Sequence, residues 1–122
     1  MNEQTTERNP DQAAADYFIS AGSGSRHEIF PGVEIRTTAG RGIMLSVVRF
    51  EPNSAVTDHA HPHEQMGMMI SGRLEFTVGG ITRVLGPGDI WRIPGNVTHS
   101  VRAFPEPAVA LDVFHPIRED YV

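Results

Sequence analysis

Three histidines fall within five residues in the run His59-Ala60-His61-Pro62-His63-Glu64-Gln65, and His99 follows well downstream. Side chains on a strand alternate faces with period two. His59, His61, His63 and Gln65 share parity, so an extended path aims all four to one side. His99 follows a turn-forming stretch, Pro94-Gly95-Asn96, and a sheet closed on itself brings that position opposite the first group. Imidazoles with one oxygen donor suit a single divalent transition metal such as Mn, Fe, Co, Ni or Zn. The expected ligands are His59, His61, Gln65 and His99, which leave positions open on a six-coordinate ion. Gln65 is neutral where a carboxylate is commoner, so the ion keeps more positive charge and favours an anionic ligand. Clustered histidines also occur as surface residues, and a lone histidine is more often a satisfied core or surface residue than a ligand. His63 is a fifth ligand or a pocket wall; with four ligands in place, the wall is favoured.

The rest of the composition narrows the chemistry. The 122 residues include no cysteine, and all ten basic residues are Arg. Disulfides, thiolate ligands, thiol nucleophiles, Schiff-base lysines and phosphate-loop lysines are therefore excluded. The formal net charge is −5 with no basic cluster, which gives no reason to expect nucleic acid or an anionic membrane as partner. No apolar run approaches the roughly 18 residues needed to span a bilayer. Met1 to Asp16 lacks the layout of a signal peptide, and a cytoplasmic protein is expected.

From Ile29 onward, short runs of Val, Ile, Phe and Thr alternate with Gly, Pro and Asn. Strands are predicted near Val33–Thr37, Ile43–Phe50, Ala55–His59, Gln65–Ser71, Arg73–Val78, Ile81–Leu85, Ile90–Ile93, His99–Ala103 and Ala108–Phe114. Gly79-Gly80 reads as a tight hairpin turn. This pattern predicts one all-β domain over residues 26–122, a closed jelly-roll barrel, because closure removes exposed edges. Residues 1–25 read as a flexible lead-in, with a short helix possible over Asp11–Phe18 and a Gly/Ser linker over Ala21–Ser25.

A second constellation lies near the C-terminus. Asp112 and Phe114 share parity and can both face the barrel interior. A carboxylate there is costly unless paired or used, and beside a metal it can act as general acid or base. Arg118 offers a fork for a substrate carboxylate, and Phe114 a flat surface for a sugar ring. The alternative is that Asp112 pairs with Arg118 or a turn and that Phe114 is core. Trp91, Met69 and Phe76 are candidate pocket walls, although such residues are more often plain core.

These motifs resemble those of the cupins. The first cupin motif has H-x-H, an acidic or amide ligand four residues on, and a Gly seven residues later; His59, His61, Gln65 and Gly72 occupy those places. The second, G-x5-P-x-G-x2-H, is met by Gly88, Pro94, Asn96 and His99, with Asn for the last Gly. Asn visits the left-handed region most readily after Gly. Asn53 replaces a leading Gly, and Ala103 a final Asn. The resemblance covers roughly residues 40 to 122 and implies a double-stranded β-helix with the metal on the four ligands above.

The run from Leu111 to Asp120, together with His59 to Gln65, resembles the KdgF family of small pectin-degradation cupins. That likeness implies carbohydrate metabolism: non-redox ring opening of 4,5-unsaturated uronate monosaccharides to linear keto acids. It also implies that Asp112 and Arg118 are catalytic and that Phe114 binds substrate. His115 and Trp91 have no counterpart in that pattern. Two other classes share the metal motif: a non-haem metal dioxygenase, marked by iron dependence and oxygen uptake, and a non-catalytic ligand-binding or sensing barrel. The expected partner is a small anionic molecule. A sheet edge near Ile29–Thr37 is available to a second copy, so a homodimer is expected; light scattering at micromolar concentration checks this, and a monomer would count against it.

Overall fold

The computed structural model describes residues 17–122. Residues 1–16 of the expected lead-in, and with them all but the last two residues of the helix expected over Asp11–Phe18, lie outside that range. Ten strands follow in order: β1 Ser25–Phe30, β2 Val33–Ala39, β3 Met44–Phe50, β4 Ala55–His59, β5 Glu64–Ser71, β6 Leu74–Val78, β7 Ile81–Leu85, β8 Ile90–Ile93, β9 His99–Ala103 and β10 Ala108–His115. Nine coincide with the predicted strands to within one or two residues. The tenth, β1, starts inside the stretch read as linker, because a polar sequence, Ser-Arg-His-Glu, is acceptable on an edge strand that buries little. A short 3-10 helix, Glu119–Tyr121, ends the chain. No helix among the described residues is long and apolar enough to cross a membrane.

All pairings are antiparallel. One sheet has six strands in the order β1-β2-β3-β10-β5-β8, and the other has four, β4-β9-β6-β7. Two facing sheets of this order form the jelly-roll sandwich that the strand pattern predicts. Alternation sets their inner faces. Met44, Ser46, Val48 and Phe50 of β3 are buried, while Leu45 and Arg49 between them are exposed. The core is Val33, Ile35, Val48, Phe50, Val56, Met69, Leu74, Phe76, Trp91, Ile93, Val101, Ala108 and Ala110.

Register fixes what the cavity can hold. Across the six-stranded sheet, Thr37 pairs Ser46, Ser46 pairs Asp112, Asp112 pairs Gly67, and Gly67 pairs Trp91. The row one step toward the barrel mouth runs Met44, Phe114, Gln65, Ile93. The row one step deeper includes Ile35, Val48, Ala110 and Met69. Polar side chains thus gather in the middle row, joined by Gln65 from the outer row, above an apolar floor.

Gly72 turns β5 into β6 with a φ of +74°, and a Cβ there would lie 2.5 Å from the Pro107 carbonyl oxygen and 2.9 Å from Ala108 Cβ. Gly72→Ala is expected to lower the urea midpoint by about 1–3 kcal/mol of stability at unchanged slope, from left-handed strain and backbone overlap together.

Candidate metal centre

His59 closes β4 and His99 opens β9, and the antiparallel register pairs them directly. Their ring centroids lie 4.2 Å apart. His61 sits in the β4–β5 connection, 5.1 Å from the His99 ring and 5.7 Å from the His59 ring. That connection is fastened to the β8–β9 turn, where the Asn96 N–H donates to the His61 carbonyl at 2.7 Å. Asn96 takes a φ of +67° to do so, the left-handed conformation expected at that motif position. Gln65, on β5, turns inward and is buried.

Backbone carbonyls set the tautomers. Nδ1–H of His59 donates to Thr57 at 2.9 Å, that of His61 to His63 at 3.1 Å, and that of His99 to Val97 at 2.8 Å. Each Nε2 therefore carries a lone pair, and the Nδ1–H bond of each ring holds that tautomer in place. His99 Nε2 is buried with no hydrogen-bond partner. His61 Nε2 lies 3.0 Å from Gln65 Oε1. The amide orientation is settled by Gln65 Nε2, which donates to Asp112 Oδ1 at 2.9 Å. Two acceptors thus face one another, an arrangement that a shared cation relieves. Two ligands each about 2.1 Å from one ion, at right angles, lie about 3 Å apart. Ligand atoms of His59, His61 and His99 all lie within 4.8 Å of one another. The three histidines could hold a metal ion, and nitrogen donors of this kind fit a divalent transition ion.

Burial pushes His61 down to about 4, with the Arg118 and His99 charges adding to it. Burial also lowers His99, helped by His59 and Arg118 and opposed by the Val97 carbonyl. Both rings are neutral at pH 7, the form that binds metal.

Next to the cluster, Asp112 Oδ1 accepts a second hydrogen bond, from Trp91 Nε1 at 2.8 Å. Burial raises the Asp112 carboxyl to about 6, against the opposing effects of Gln65, Trp91 and Arg118. Phe114 is buried beside His61, with ring centroids 5.8 Å apart. A cavity of about 50 Å³ is lined on its polar side by His59, Gln65, His99, Asp112, Arg118 and Tyr121. Phe76 and Trp91 also line it, stacked at 4.4 Å.

The expected residues are therefore mostly brought together, with three departures. The extended path breaks at Pro62-His63, so His63, expected as a pocket wall, is not among the residues that line the cavity; its ring lies 5.5 Å from that of His61, with Nδ1 buried and unpartnered. Met69 lies deep in the core, away from the cavity lining. Arg118 bonds Asp120 rather than Asp112, at 3.3 Å from Nε and 2.9 Å from Nη2, so two of its donors are occupied. Tyr121 is a residue that the sequence reading missed. Its ring lies 4.1 Å under the Arg118 guanidinium, and its carbonyl accepts hydrogen bonds from Thr37 Oγ1 at 2.5 Å and His27 Nε2 at 3.1 Å. Its only signal in the sequence is an aromatic one turn after Arg118.

The cupin-domain family profile matches residues 46–114. Among solved structures, an RmlC-like cupin from Shewanella frigidimarina is 26% identical with a TM-score of 0.80, over 88% of this chain and 96% of that one. KdgF from Halomonas sp. is 27% identical with a TM-score of 0.74, over 84% of this chain and all (100%) of that one. AerE from Microcystis aeruginosa is 25% identical with a TM-score of 0.71, over 76% of this chain and 46% of that one. The comparison with curated proteins finds no match.

Chelated protein is expected to gain thermal stability when Ni²⁺ or Zn²⁺ is added, about 2.7 kcal/mol at a hundredfold excess over Kd. His99→Ala should abolish that gain and the bound metal measured by mass spectrometry. Because His61 is neutral at pH 7, its coordination displaces no proton there. Proton release from His61 on binding should be absent near pH 7 and appear as pH approaches 4, where a proton must leave His61 first; calorimetric titration in buffers of different ionisation heat checks it.

Proposed function

The chain belongs to the cupin family, and we propose that within it this protein is a metal-dependent enzyme that opens 4,5-unsaturated uronate monosaccharides to linear keto acids. The observation that carries the reading is the Gln65 side chain, whose two ends join His61 of the histidine cluster to the Asp112 carboxylate. The carboxylate that would transfer the proton thus lies directly beside the histidine cluster. The similarity to KdgF from Halomonas sp. supports the substrate class. Gln65 Oε1 serves as fourth ligand with His59, His61 and His99.

The substrate is a cyclic enol ether with an anomeric hydroxyl and a carboxylate. The divalent metal supplies Lewis acidity and an anchor for the substrate's oxygens. Asp112, raised to about 6, is mostly ionised at pH 7 and takes the anomeric hydroxyl proton. As C1=O forms, the bond from C1 to the ring oxygen breaks, and its electron pair passes through the enol to C4. C4 is protonated and the ring oxygen becomes the C5 ketone, so the reaction is an isomerisation with no electron acceptor. Arg118 has one amino group, Nη1, left over from its contacts with Asp120 and faces the substrate's charge with it. Phe114 and Tyr121 flank Arg118 and enclose the ring edge. A cavity of about 50 Å³ admits the reacting end of a monosaccharide, while the rest lies toward Arg118.

Metal-replete protein should accelerate the loss of ultraviolet absorbance of 4,5-unsaturated galacturonate, equally under air and nitrogen. Asp112→Asn should cut turnover by about 10²-fold or more with metal content unchanged, and chelation should abolish it. A rate no faster than the spontaneous one removes the uronate assignment; oxygen uptake in its place would favour a dioxygenase.

A further inference from the structure

Asp112 receives both of its hydrogen bonds on a single oxygen. Gln65 Nε2 and Trp91 Nε1 donate to Oδ1, at 2.9 and 2.8 Å, and no hydrogen bond among the described residues reaches Oδ2. The indole gets there by an unusual route. Trp91 is on β8 at the end of the sheet, and Asp112 is on β10, with β5 between them. In the shared row, the residue between them is Gly67. A Cβ at Gly67 would lie 2.3 to 2.5 Å from Trp91 Cζ2, Cε2 and Nε1. The indole therefore lies flat across the bare β5 backbone, a position open only because residue 67 has no side chain. Phe76 of the opposite sheet stacks on it at 4.4 Å and holds it down. Trp91 is 5% exposed, and a buried indole N–H usually finds a partner.

We propose that Trp91 is a positioning residue for the ring-opening reaction. Laid across Gly67, its N–H and the Gln65 amide together commit Asp112 Oδ1 and leave Oδ2 as the one oxygen that exchanges the proton with substrate. This inference rests on the ring-opening reading. It assigns a function to Trp91 and Gly67, neither of which touches substrate chemistry itself. Gln65 alone leaves the carboxyl free to rotate about its Cβ–Cγ bond, whereas two donors from different strands fix its plane.

Trp91 is the chain's one tryptophan, which makes the test clean. The indole N–H should give a single nitrogen-correlated side-chain resonance, downfield and slow to exchange, that moves upfield and exchanges faster in Asp112→Ala. In metal-replete protein normalised to bound metal, Trp91→Phe should lower kcat by about 10- to 100-fold, with KM within about twofold. Incorporating the benzothienyl analogue of tryptophan, with sulfur in place of N–H, keeps ring size and stacking and should reproduce the loss, separating the hydrogen bond from packing. Full kcat in the metal-loaded analogue protein, alongside an inactive Asp112→Asn, would overturn the positioning role and leave the ring-opening reading intact. An indole resonance indifferent to Asp112→Ala would overturn it as well. Wild-type protein with no turnover would remove the ring-opening reading first, and this assignment with it.

Discussion

Everything polar inside the barrel depends on which way the Gln65 amide points. One end must donate, because Asp112 Oδ1 accepts there, and this leaves the amide oxygen facing the His61 Nε2 lone pair. A glutamate in the same place would set a carboxylate oxygen against the Asp112 carboxylate at hydrogen-bond distance. Two carboxylates that close cannot both ionise, and one would hold its proton at neutral pH. The amide avoids this. It offers an oxygen toward the histidine cluster and an N–H that favours the charged form of Asp112, so the two neighbours coexist without a second buried charge. The neutrality of residue 65 is thus dictated from two sides, by the charge left on an ion and by the carboxylate behind it.

The sheet makes this neighbourhood affordable by sorting side-chain size along rows. The middle row carries Thr37, Ser46, Asp112 and Gly67 before it reaches Trp91. These are small groups, which leave a hollow that the bulky residues of the deeper row do not. Unpaired polar atoms in such a hollow cost roughly 1–3 kcal/mol each. Nearly all of them are matched: the three Nδ1–H groups on backbone carbonyls, the Gln65 amide, the indole N–H and Thr37 Oγ1. Of the buried nitrogens that stay unmatched, His99 Nε2 is one that faces the centre of the cluster. An orphan in that place, among so many satisfied neighbours, marks a position for a ligand bond rather than a packing fault.

What the sequence disclosed follows from which interactions are local. Strand parity correctly sends Gln65, Asp112 and Phe114 inward, because alternation needs only the neighbouring residues. Turn chemistry is local too, and Asn96 takes the left-handed conformation its motif position demands. The histidine cluster, which could hold a metal ion, was legible because short spacing and a preceding turn constrain it. By contrast, His63 shares parity with its neighbours yet leaves the cluster, since the Pro62-His63 bend interrupts the extended path on which parity depends. β1 was missed because an edge strand is specified by its partner's hydrogen bonds more than by its own hydrophobicity. The fit of Trp91 over Gly67 joins residues far apart in the chain through register alone, and no period or spacing announces it. Arg118 pairing with Asp120 instead of Asp112 is decided by the 3-10 turn at the C-terminus, whose Tyr121 carbonyl is fastened by Thr37 and His27 from the other end of the chain.

One physical cause then accounts for both kinds of reactive group. Burial disfavours charge of either sign, so it raises Asp112 to about 6 and lowers His61 to about 4. The two shifts have opposite directions on the pH scale but the same chemical sense, toward neutral forms. For His61, neutrality is the form that binds a metal, and burial secures it at pH 7. For the carboxyl, the shift brings its proton affinity close to ambient pH without making it neutral there, the range in which general acids and bases work best. A divalent charge among the histidines would act on Asp112 in the reverse sense and favour its ionised form. Gln65 already works in that direction: its Oε1 faces the histidine cluster, and its Nε2 donates to the carboxylate, a hydrogen bond that opposes the effect of burial.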